Sequence, residues 1–336
     1  MTTPFVGLHV PSFTYPGAEG AGLFPRLAEI AATADRSGFT ALSVMDHFHQ
    51  IAPVGQPDEP MLEAYTTLGA LAASTRRIQL YTLVTGVIYR NPAHLAKSVT
   101  TLDVISGGRA MLGIGAAWND VESHAYGFAF PPIGERMDRL EEALRICRAM
   151  FDDPTATFEG SHFRVEGAIN MPRPVRARVP ILIGGSGERR TLRMVARHAD
   201  LCNVHGWAPG GGEVDGPAMA QSKLEVLARH CEAEGRDMAD IVKTANIGIM
   251  VIDETEAGVR RRLESVAASP PPAFRGVDVD VLSRTLPVGT PDRVAARIRQ
   301  YLDAGLDGVT FAVHGVYDTE RIELAATAAR AAGLID

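Results

Sequence analysis

Residues 40–49 read TALSVMDHFH, a short apolar run that ends abruptly at an aspartate and two histidines. Three further apolar runs end in the same abrupt way. They are residues 78–84, which stop at Thr85-Gly86, residues 110–112, which stop at the glycine-rich segment 113–120, and residues 179–183, which stop at segment 184–190. In a parallel α/β barrel the carboxyl ends of the strands meet at one mouth, so junctions far apart in sequence become neighbours. The pattern indicates an enzyme rather than a scaffold protein.

Strand-like and helix-like segments alternate along all 336 residues. The strand-like segments begin near residues 6, 40, 78, 110, 181, 201, 247 and 308, and helical patterns fill the chain between and after them. Such an alternation predicts an α/β fold, the (β/α)8 TIM barrel. We expect one domain over residues 1–336, with insertions after strands 4, 6 and 7 at about 152–178, 206–218 and 269–288, the first containing a hairpin at residues 155–165. A doubly wound sheet is the alternative, but no linker divides the chain.

The composition excludes several classes of protein. A hydrophobic content of 46% supports a large core, and a formal net charge of −7 without a basic stripe argues against a nucleic-acid partner. Cys147, Cys202 and Cys231 are too few and too scattered for a disulfide framework or a zinc motif. Neither a signal peptide nor a run of about 18 apolar residues is found. We therefore expect a cytoplasmic protein without a membrane partner.

Asp46 and His47 directly follow a strand-like run. In a barrel such side chains face the mouth, where a carboxylate accepts hydrogen bonds and an imidazole relays a proton. The alternative is a solvated loop with an N-capping aspartate. Residues 47–49 also have the H-x-H form of metal-dependent hydrolases, for which the further ligands would be His205, His314 and Asp318. The metal hypothesis is weaker, because no strand offers a bridging lysine and the H-x-H follows the second strand rather than the first.

Residues 184–187, GGSG, lie between a strand and a helix. Backbone N–H groups and the positive end of the helix dipole favour a bound phosphate at such a junction, and Arg189 and Arg190 would add positive charge. The segment is not a nucleophile elbow, because Glu188 stands where G-x-S-x-G requires glycine, and no Gly-Lys-Ser/Thr follows as in a P-loop. It predicts a ligand that carries phosphate.

Residues 113–118, GIGAAW, resemble a dinucleotide fingerprint but have Trp118 where the third glycine belongs. The glycines would let a flat ring approach the backbone, with Trp118 as a wall. A tight turn beside a core tryptophan explains the stretch equally well.

In chain order, these stretches resemble the luciferase-like monooxygenase superfamily, and most closely its coenzyme F420-dependent oxidoreductases. The resemblance spans nearly the whole chain and is carried by residues 41–48, 78–86, 90–93, 102–109, 113–119, 134–136 and 181–193. Members of that family are barrels that hold a flavin or deazaflavin at the mouth. The resemblance therefore implies coenzyme F420 as the cofactor, with FMN as the alternative.

The resemblance also implies roles for single residues. Asp46 is similar to the residue that hydrogen-bonds the deazaflavin ring, and His47 is similar to the catalytic histidine. Asn119 matches an asparagine that binds the cofactor's tail, and the family's non-proline cis peptide behind the ring would fall at Thr82-Leu83. The loop that holds the cofactor's phosphate corresponds to Gly184, Gly185, Ser186 and Gly187.

One stretch departs from the family's pattern. The sugar-phosphate dehydrogenases of this family carry a catalytic glutamate after the fourth strand, where this chain has Ala116, Ala117 and Trp118. An acid would have to come from elsewhere in the chain, and the difference argues against a sugar-phosphate substrate.

We expect an F420-dependent oxidoreductase that transfers a hydride to or from a small apolar substrate, while His47 supplies or removes the accompanying proton. The predicted substrate pocket is lined by His9, Phe13, Phe48, Trp118 and Trp207. The alternatives are an FMN-dependent monooxygenase with a reductase partner, a metal-dependent hydrolase, and a barrel that binds its cofactor without turnover. A homodimer is expected from the family resemblance alone.

Overall fold

The computed structural model describes residues 4–52, 54–206, 215–268 and 275–336. The strands in these ranges are β1 (Phe5–Val10), β2 (Ala41–Val44), β3 (Gln79–Thr82), β4 (Thr85–Gly86), β5 (Leu112–Gly115), β6 (Thr155–Glu159), β7 (Arg164–Ile169), β8 (Ile181–Gly184), β9 (Leu201–His205), β10 (Val242–Ile252), β11 (Val288–Gly289) and β12 (Gly308–Val313). Nine of these strands lie side by side and parallel, in the order β3-β2-β1-β12-β10-β9-β8-β5-β4. A parallel bridge between Leu80 and Ala110 joins the two ends of the row, which makes it a nearly closed barrel.

The nine strands occupy the eight positions of a TIM barrel. β3 stops at Thr82 and β4 resumes at Thr85, so together they form one position next to β5. The prediction of a (β/α)8 barrel is confirmed. The predicted place of the cis peptide bond is wrong by one residue, because the non-proline cis bond joins Leu83 and Val84 rather than Thr82 and Leu83.

Helices surround the barrel, and some of them are bounded by ordinary capping residues. In the described ranges they are α1 (Leu23–Ser37), α2 (Ala64–Ser74), α3 (Pro92–Ser106), α4 (Asp120–Ala125), α5 (Ile133–Asp152), α6 (Thr191–His198), α7 (Gly216–Glu234), α8 (Glu256–Ala268), α9 (Val279–Thr285), α10 (Pro291–Asp303) and α11 (Thr319–Ala331). α3 shows the local rules at both ends. Asn91 accepts a hydrogen bond from the N–H of Ala93, Pro92 occupies the first helical position, and Gly107 ends the helix at a φ of 69°.

The core lies between the barrel and the helices, and it also fills the barrel. All six residues of β1 are buried, and so are Leu27 and Ile30 on the inner face of α1. A strand that is buried on both faces consists of a continuous apolar run, and such runs predict strands from the sequence alone. Truncation of a buried leucine such as Leu42 to alanine would cost about 2–5 kcal/mol of stability.

The insertions follow the predicted places as far as the structure describes them. β6 and β7 form the antiparallel hairpin between α5 and β8, and it extends to Ile169. Residues 207–214 and 269–274 lie outside the described ranges, while α9 and β11 fall in the third insertion. Two helices, α4 and α9, were not predicted. The assignment of a single domain to residues 1–336 stays a prediction, and no helix in the described part of the chain is long and apolar enough to cross a bilayer.

Candidate functional site

Asp46 lies just after β2, at the mouth of the barrel, and its carboxylate is held by an arginine. Asp46 is 2% exposed, and Arg90 Nη1 and Nη2 donate to its Oδ2 and Oδ1 at 2.6 and 3.1 Å. Arg90 Nη2 also donates to Glu63 at 2.6 Å, and the guanidinium lies 4.8 Å from the centroid of the Tyr65 ring. Arg90 was not among the predicted site residues, yet it fixes the orientation of the Asp46 carboxylate.

Burial and charge act in opposite directions on this pair. Burial raises the pKa of Asp46, while the charge and the hydrogen bonds of Arg90 oppose that shift. Burial alone would lower the pKa of Arg90, but its contact with Asp46 raises that pKa overall. Arg90 therefore remains a cation, and a substitution that removes it would leave a buried carboxyl group without its main partner.

His47 contacts a carboxylate that the sequence patterns did not predict. Its Nδ1 is hydrogen-bonded to Oε1 of Glu122, a fully buried residue on α4. Glu122 Oε1 also accepts from the hydroxyl of Tyr89 at 2.7 Å, and Glu122 Oε2 accepts from the N–H of Phe48 at 2.9 Å. Burial would raise the pKa of Glu122, but these hydrogen bonds lower it overall. The carboxylate is therefore charged at neutral pH.

Glu122 provides a carboxylate at this end of the barrel. It lies six residues beyond Ala116, the first residue of the stretch that departs from the family's pattern, and it reaches the site because α4 turns the chain back toward β2. The sequence carried a weak signal for this helix, since Asn119 and Asp120 are residues that favour helix starts. Asn119 is buried at the N-cap of α4, and its carbonyl accepts from Ser123 Oγ at 2.7 Å.

Two of the predicted pocket residues have distinct surroundings. Trp118 is 57% exposed, and its ring is edge-on to the His47 ring with the two centroids 5.7 Å apart. Phe48 instead packs into an aromatic cluster, stacked on Tyr126 and Phe128 with centroid separations of 4.8 and 5.2 Å. Trp118 is thus the aromatic side chain that presents apolar surface beside His47.

The other predicted pocket residues are less accessible. His9 lies on β1, where its Nδ1 is 2.9 Å from Ser43 Oγ, and burial lowers its pKa to about 4. Phe13 is 1% exposed and packs in the main apolar core, so it offers almost no free surface to a ligand. Trp207 lies outside the described residues.

Hydroxyl groups line the barrel position that β3 and β4 share. Thr82 Oγ1 donates to the carbonyl of Gly113 at 3.0 Å and lies 2.9 Å from Thr85 Oγ1, which in turn lies 2.9 Å from the hydroxyl of Tyr65. This chain links β3, β4 and β5 across the break that contains Leu83. Thr82 is completely buried in these contacts, so its side chain serves the barrel itself.

Val84, the second residue of the cis peptide bond, packs against two glycines on neighbouring strands. A Cβ at Gly115 would lie 2.9 Å from Val84 Cγ2, and a Cβ at Gly184 would lie 2.8 Å from Val84 Cγ1. Glycine is therefore required at both positions for the strands to approach this closely.

The loop after β8 offers unpaired donors. Among the described residues, the backbone N–H groups of Ser186, Gly187 and Glu188 have no acceptor. Ser186 Oγ accepts from the N–H of His205 at 3.0 Å, and it also lies 3.4 Å from Nδ1 of the same histidine. Arg189 is exposed and has no partner in the described ranges, whereas Arg190 is turned away to Asp138 and the carbonyl of Gly134.

No group of three or more metal-ligating side chains lies together in the ranges that the structure describes. The imidazoles of the H-x-H segment are used differently: His47 Nδ1 bonds to Glu122, and His49 Nδ1 lies 3.2 Å from the carbonyl of Gln50.

A luciferase-like monooxygenase family profile matches residues 7–308. The chain belongs to this family. One luciferase-like relative, the F420-dependent glucose-6-phosphate dehydrogenase of Kineococcus radiotolerans, is 28% identical over 308 residues, which cover 86% of this chain and 87% of that protein. The family resemblance carried by the sequence motifs is confirmed.

Solved structures have the same fold. An F420-dependent secondary alcohol dehydrogenase in complex with an F420–acetone adduct matches 98% of this chain and 99% of its own, with a TM-score of 0.79 and 19% identity. A long-chain alkane monooxygenase matches 100% of this chain and 93% of its own, with a TM-score of 0.79 and 17% identity. At these identities the likeness shows the fold alone.

Proposed function

We propose that this protein is an F420-dependent oxidoreductase that transfers a hydride between coenzyme F420 and a small apolar organic substrate. One observation carries the proposal: the buried Asp46 and His47, whose ring is bonded to the Glu122 carboxylate, follow the same barrel strand. The chain's distant relatives include F420-dependent dehydrogenases. FMN is the alternative cofactor, since the same fold serves monooxygenases.

The described residues fit such a cofactor. The free N–H groups of residues 186–188 suit a phosphate, and Arg189 adds an uncompensated positive charge. The oligo-anionic tail of a deazaflavin gives Arg189 a use, whereas FMN would need only the glycine loop. Asp46 would accept hydrogen bonds from the ring, and Leu83 and Asn119 would form further contacts. Thr82, whose buried side chain bonds within the barrel, would only support the strand behind the ring.

When bound, the deazaflavin supplies a two-electron hydride acceptor or donor. The protein binds the substrate beside it, excludes water and moves one proton. His47 is the group for that proton, because its Nδ1 is already bonded to Glu122 and its Nε2 remains for the substrate. Trp118 covers one side of His47 with apolar surface, which favours an apolar substrate.

The proposed substrate differs from the one in the relatives' names. Those relatives are glucose-6-phosphate dehydrogenases, but the stretch from Ala116 to Trp118 has no carboxylate, and the carboxylate beside His47 is that of Glu122 from α4. We therefore place an apolar organic molecule rather than a sugar phosphate in this pocket. The homodimer expected from the resemblance is part of the same proposal.

A substrate panel tests the reaction. Purified protein would be mixed with oxidised F420 and, one at a time, with small alcohols and with glucose 6-phosphate, and with reduced F420 and unsaturated ketones, while the deazaflavin absorbance is followed. Turnover with an apolar compound and none with glucose 6-phosphate would support the proposal. Oxygen consumption that requires reduced FMN, with no F420 turnover, would support the monooxygenase instead.

A further inference from the structure

Among the residues that the structure describes, Glu122 is the one fully buried carboxylate in direct contact with the proposed proton-transfer group, and the resemblance assigned it no role. We propose that Glu122 is a positioning residue that fixes the His47 ring with its proton on Nδ1, so that Nε2 faces the substrate. The inference rests on the proposed function for its chemistry, but the geometry that it describes exists without the cofactor.

The partners of Glu122 determine which way the hydrogen bond to His47 runs. An ionised carboxylate only accepts hydrogen bonds, and the pKa of Glu122 is lowered because its bonds to His47, Tyr89 and the N–H of Phe48 outweigh burial. Nδ1 of His47 must therefore carry the proton. Nε2 is then unprotonated in the neutral ring and is the atom left to take up a proton.

The carboxylate itself is held on three sides. Burial and the neighbouring charge of Glu122 raise the pKa of Tyr89, so its hydroxyl stays protonated and donates to Oε1 at 2.7 Å. The N–H of Phe48 donates to Oε2 at 2.9 Å, which ties Glu122 to the residue next to His47. The edge of Trp118 contacts the His47 ring on another side. The imidazole thus has little freedom to turn.

The proton balance is simple when the substrate is oxidised at a carbon that bears a hydroxyl group. With the deazaflavin bound, the C–H bond would break and its hydride would pass to that cofactor, while the O–H bond would break and its proton would go to Nε2 of His47. The C=O bond forms, and His47 becomes an imidazolium. Glu122 stays ionised throughout and stabilises that imidazolium through the Nδ1 hydrogen bond. Reduction of a carbonyl runs the same steps backwards.

Histidine NMR of the wild-type protein tests the geometry without any cofactor. Protein labelled with ¹⁵N-histidine, with His47→Asn to assign the signal, should show the neutral His47 ring protonated at Nδ1 and unprotonated at Nε2. A ring protonated at Nε2 would overturn the inference. Because this readout needs no F420, it gives its answer even if the proposed cofactor is wrong.

Kinetics of Glu122→Gln test the consequence. We expect kcat to fall about 10²-fold with little change in KM or in F420 affinity, because an amide can present either its oxygen or its NH2 group to Nδ1 and no longer stabilises positive charge. For oxidation of a hydroxyl group, in which His47 is the base, the acidic limb of the pH–rate profile should also move to lower pH, since the imidazolium loses its anionic partner.

Glu142→Gln is the matched control. Glu142 accepts N–H bonds from Ser161, His162 and Phe163 at 2.7, 3.0 and 2.9 Å at the hairpin, so its loss perturbs stability without touching the mouth. It should leave the pH profile unchanged.

If Glu122→Gln fails to fold, the kinetics of Glu122→Asp and the NMR of the wild-type protein test the inference instead. Wild-type kcat and an unmoved pH profile in a folded Glu122 variant would contradict the inference, while wild-type protein without F420 turnover would instead contradict the proposed function.

Discussion

Arg90 binds Asp46 through both of its terminal nitrogens, at 2.6 and 3.1 Å, across 44 residues of sequence. This two-bond arrangement fixes the plane of a buried carboxylate more firmly than a single contact, because the guanidinium and the carboxylate must be coplanar. Glu63 and the ring of Tyr65 hold the arginine in turn. The proposed ring-binding residue is therefore oriented before any ligand arrives.

Arg90→Met should lower the free energy of unfolding by about 3–5 kcal/mol at neutral pH, because it leaves the buried Asp46 carboxylate without its charged partner. The pKa of Asp46 is already raised by burial, and loss of Arg90 raises it further. The folded state then binds a proton more tightly than the unfolded state, so the deficit should shrink as the pH falls toward the unfolded value of 3.8. Urea unfolding at several pH values measures this, and a deficit independent of pH would contradict it.

His47→Ala and Asp46→Ala should separate turnover from cofactor binding. Loss of the proton-transfer group should reduce kcat by about 10²–10⁴-fold and leave the Kd for F420 within about twofold. Loss of the carboxylate should instead weaken F420 binding by about tenfold or more, because a charged hydrogen-bond acceptor is removed. Calorimetry and steady-state rates on the two variants check the contrast. Wild-type turnover in His47→Ala would remove the catalytic assignment.

Gly185→Ala should weaken the binding of a phosphate-bearing cofactor. Gly185 has a φ of 130°, which an alanine adopts only with strain, and its Cβ would lie 3.3 Å from Thr191 Cγ2. Gly235→Ala is the control, because it introduces a left-handed alanine at a φ of 65° in open space at the end of α7. Both variants should lose about 1 kcal/mol of stability, but only Gly185→Ala should lose F420 affinity. Equal F420 affinity in the two variants would exclude this loop from the cofactor site.

His9 should make the protein less stable in mild acid. The pKa of its imidazole falls from 6.5 to about 4 on burial, so the unfolded chain binds a proton in that window while the folded protein does not. The free energy of unfolding should therefore decrease as the pH is lowered from about 6.5 to about 4, by about 3 kcal/mol. His9→Asn lacks the titrating ring and should lose less over the same window. A stability difference between the two proteins that stays constant with pH would show that His9 titrates normally.

Local patterns were enough to predict the barrel and to place Asp46 and His47 at the end of one of its strands. A buried parallel strand is a continuous apolar run, and the polar residues that follow it must lie at the strand's carboxyl end. Asp46 and His47 satisfy that rule within one short stretch. The glycines at 184 and 185 were equally visible, since strand-to-helix junctions that bind anions depend on adjacent residues.

Long-range contacts explain what was missed. Glu122 lies in a helix of 6 residues, too short to show a period, and its importance depends on His47, 75 residues away. In the sequence, Arg90 is indistinguishable from an exposed arginine in a loop. Its role depends on its contact with Asp46, which only the folded structure shows. The cis bond was misplaced by one residue because its position depends on where β3 stops and β4 resumes, which no local pattern specifies.

Parallel calorimetric titrations of the purified apoprotein with coenzyme F420 and with FMN test the central claim most directly. The account predicts saturable binding of one F420 per chain and much weaker binding of FMN, because the exposed Arg189 and the free N–H groups after β8 suit a highly anionic tail. Tighter binding of FMN than of F420, or no binding of either, would contradict it.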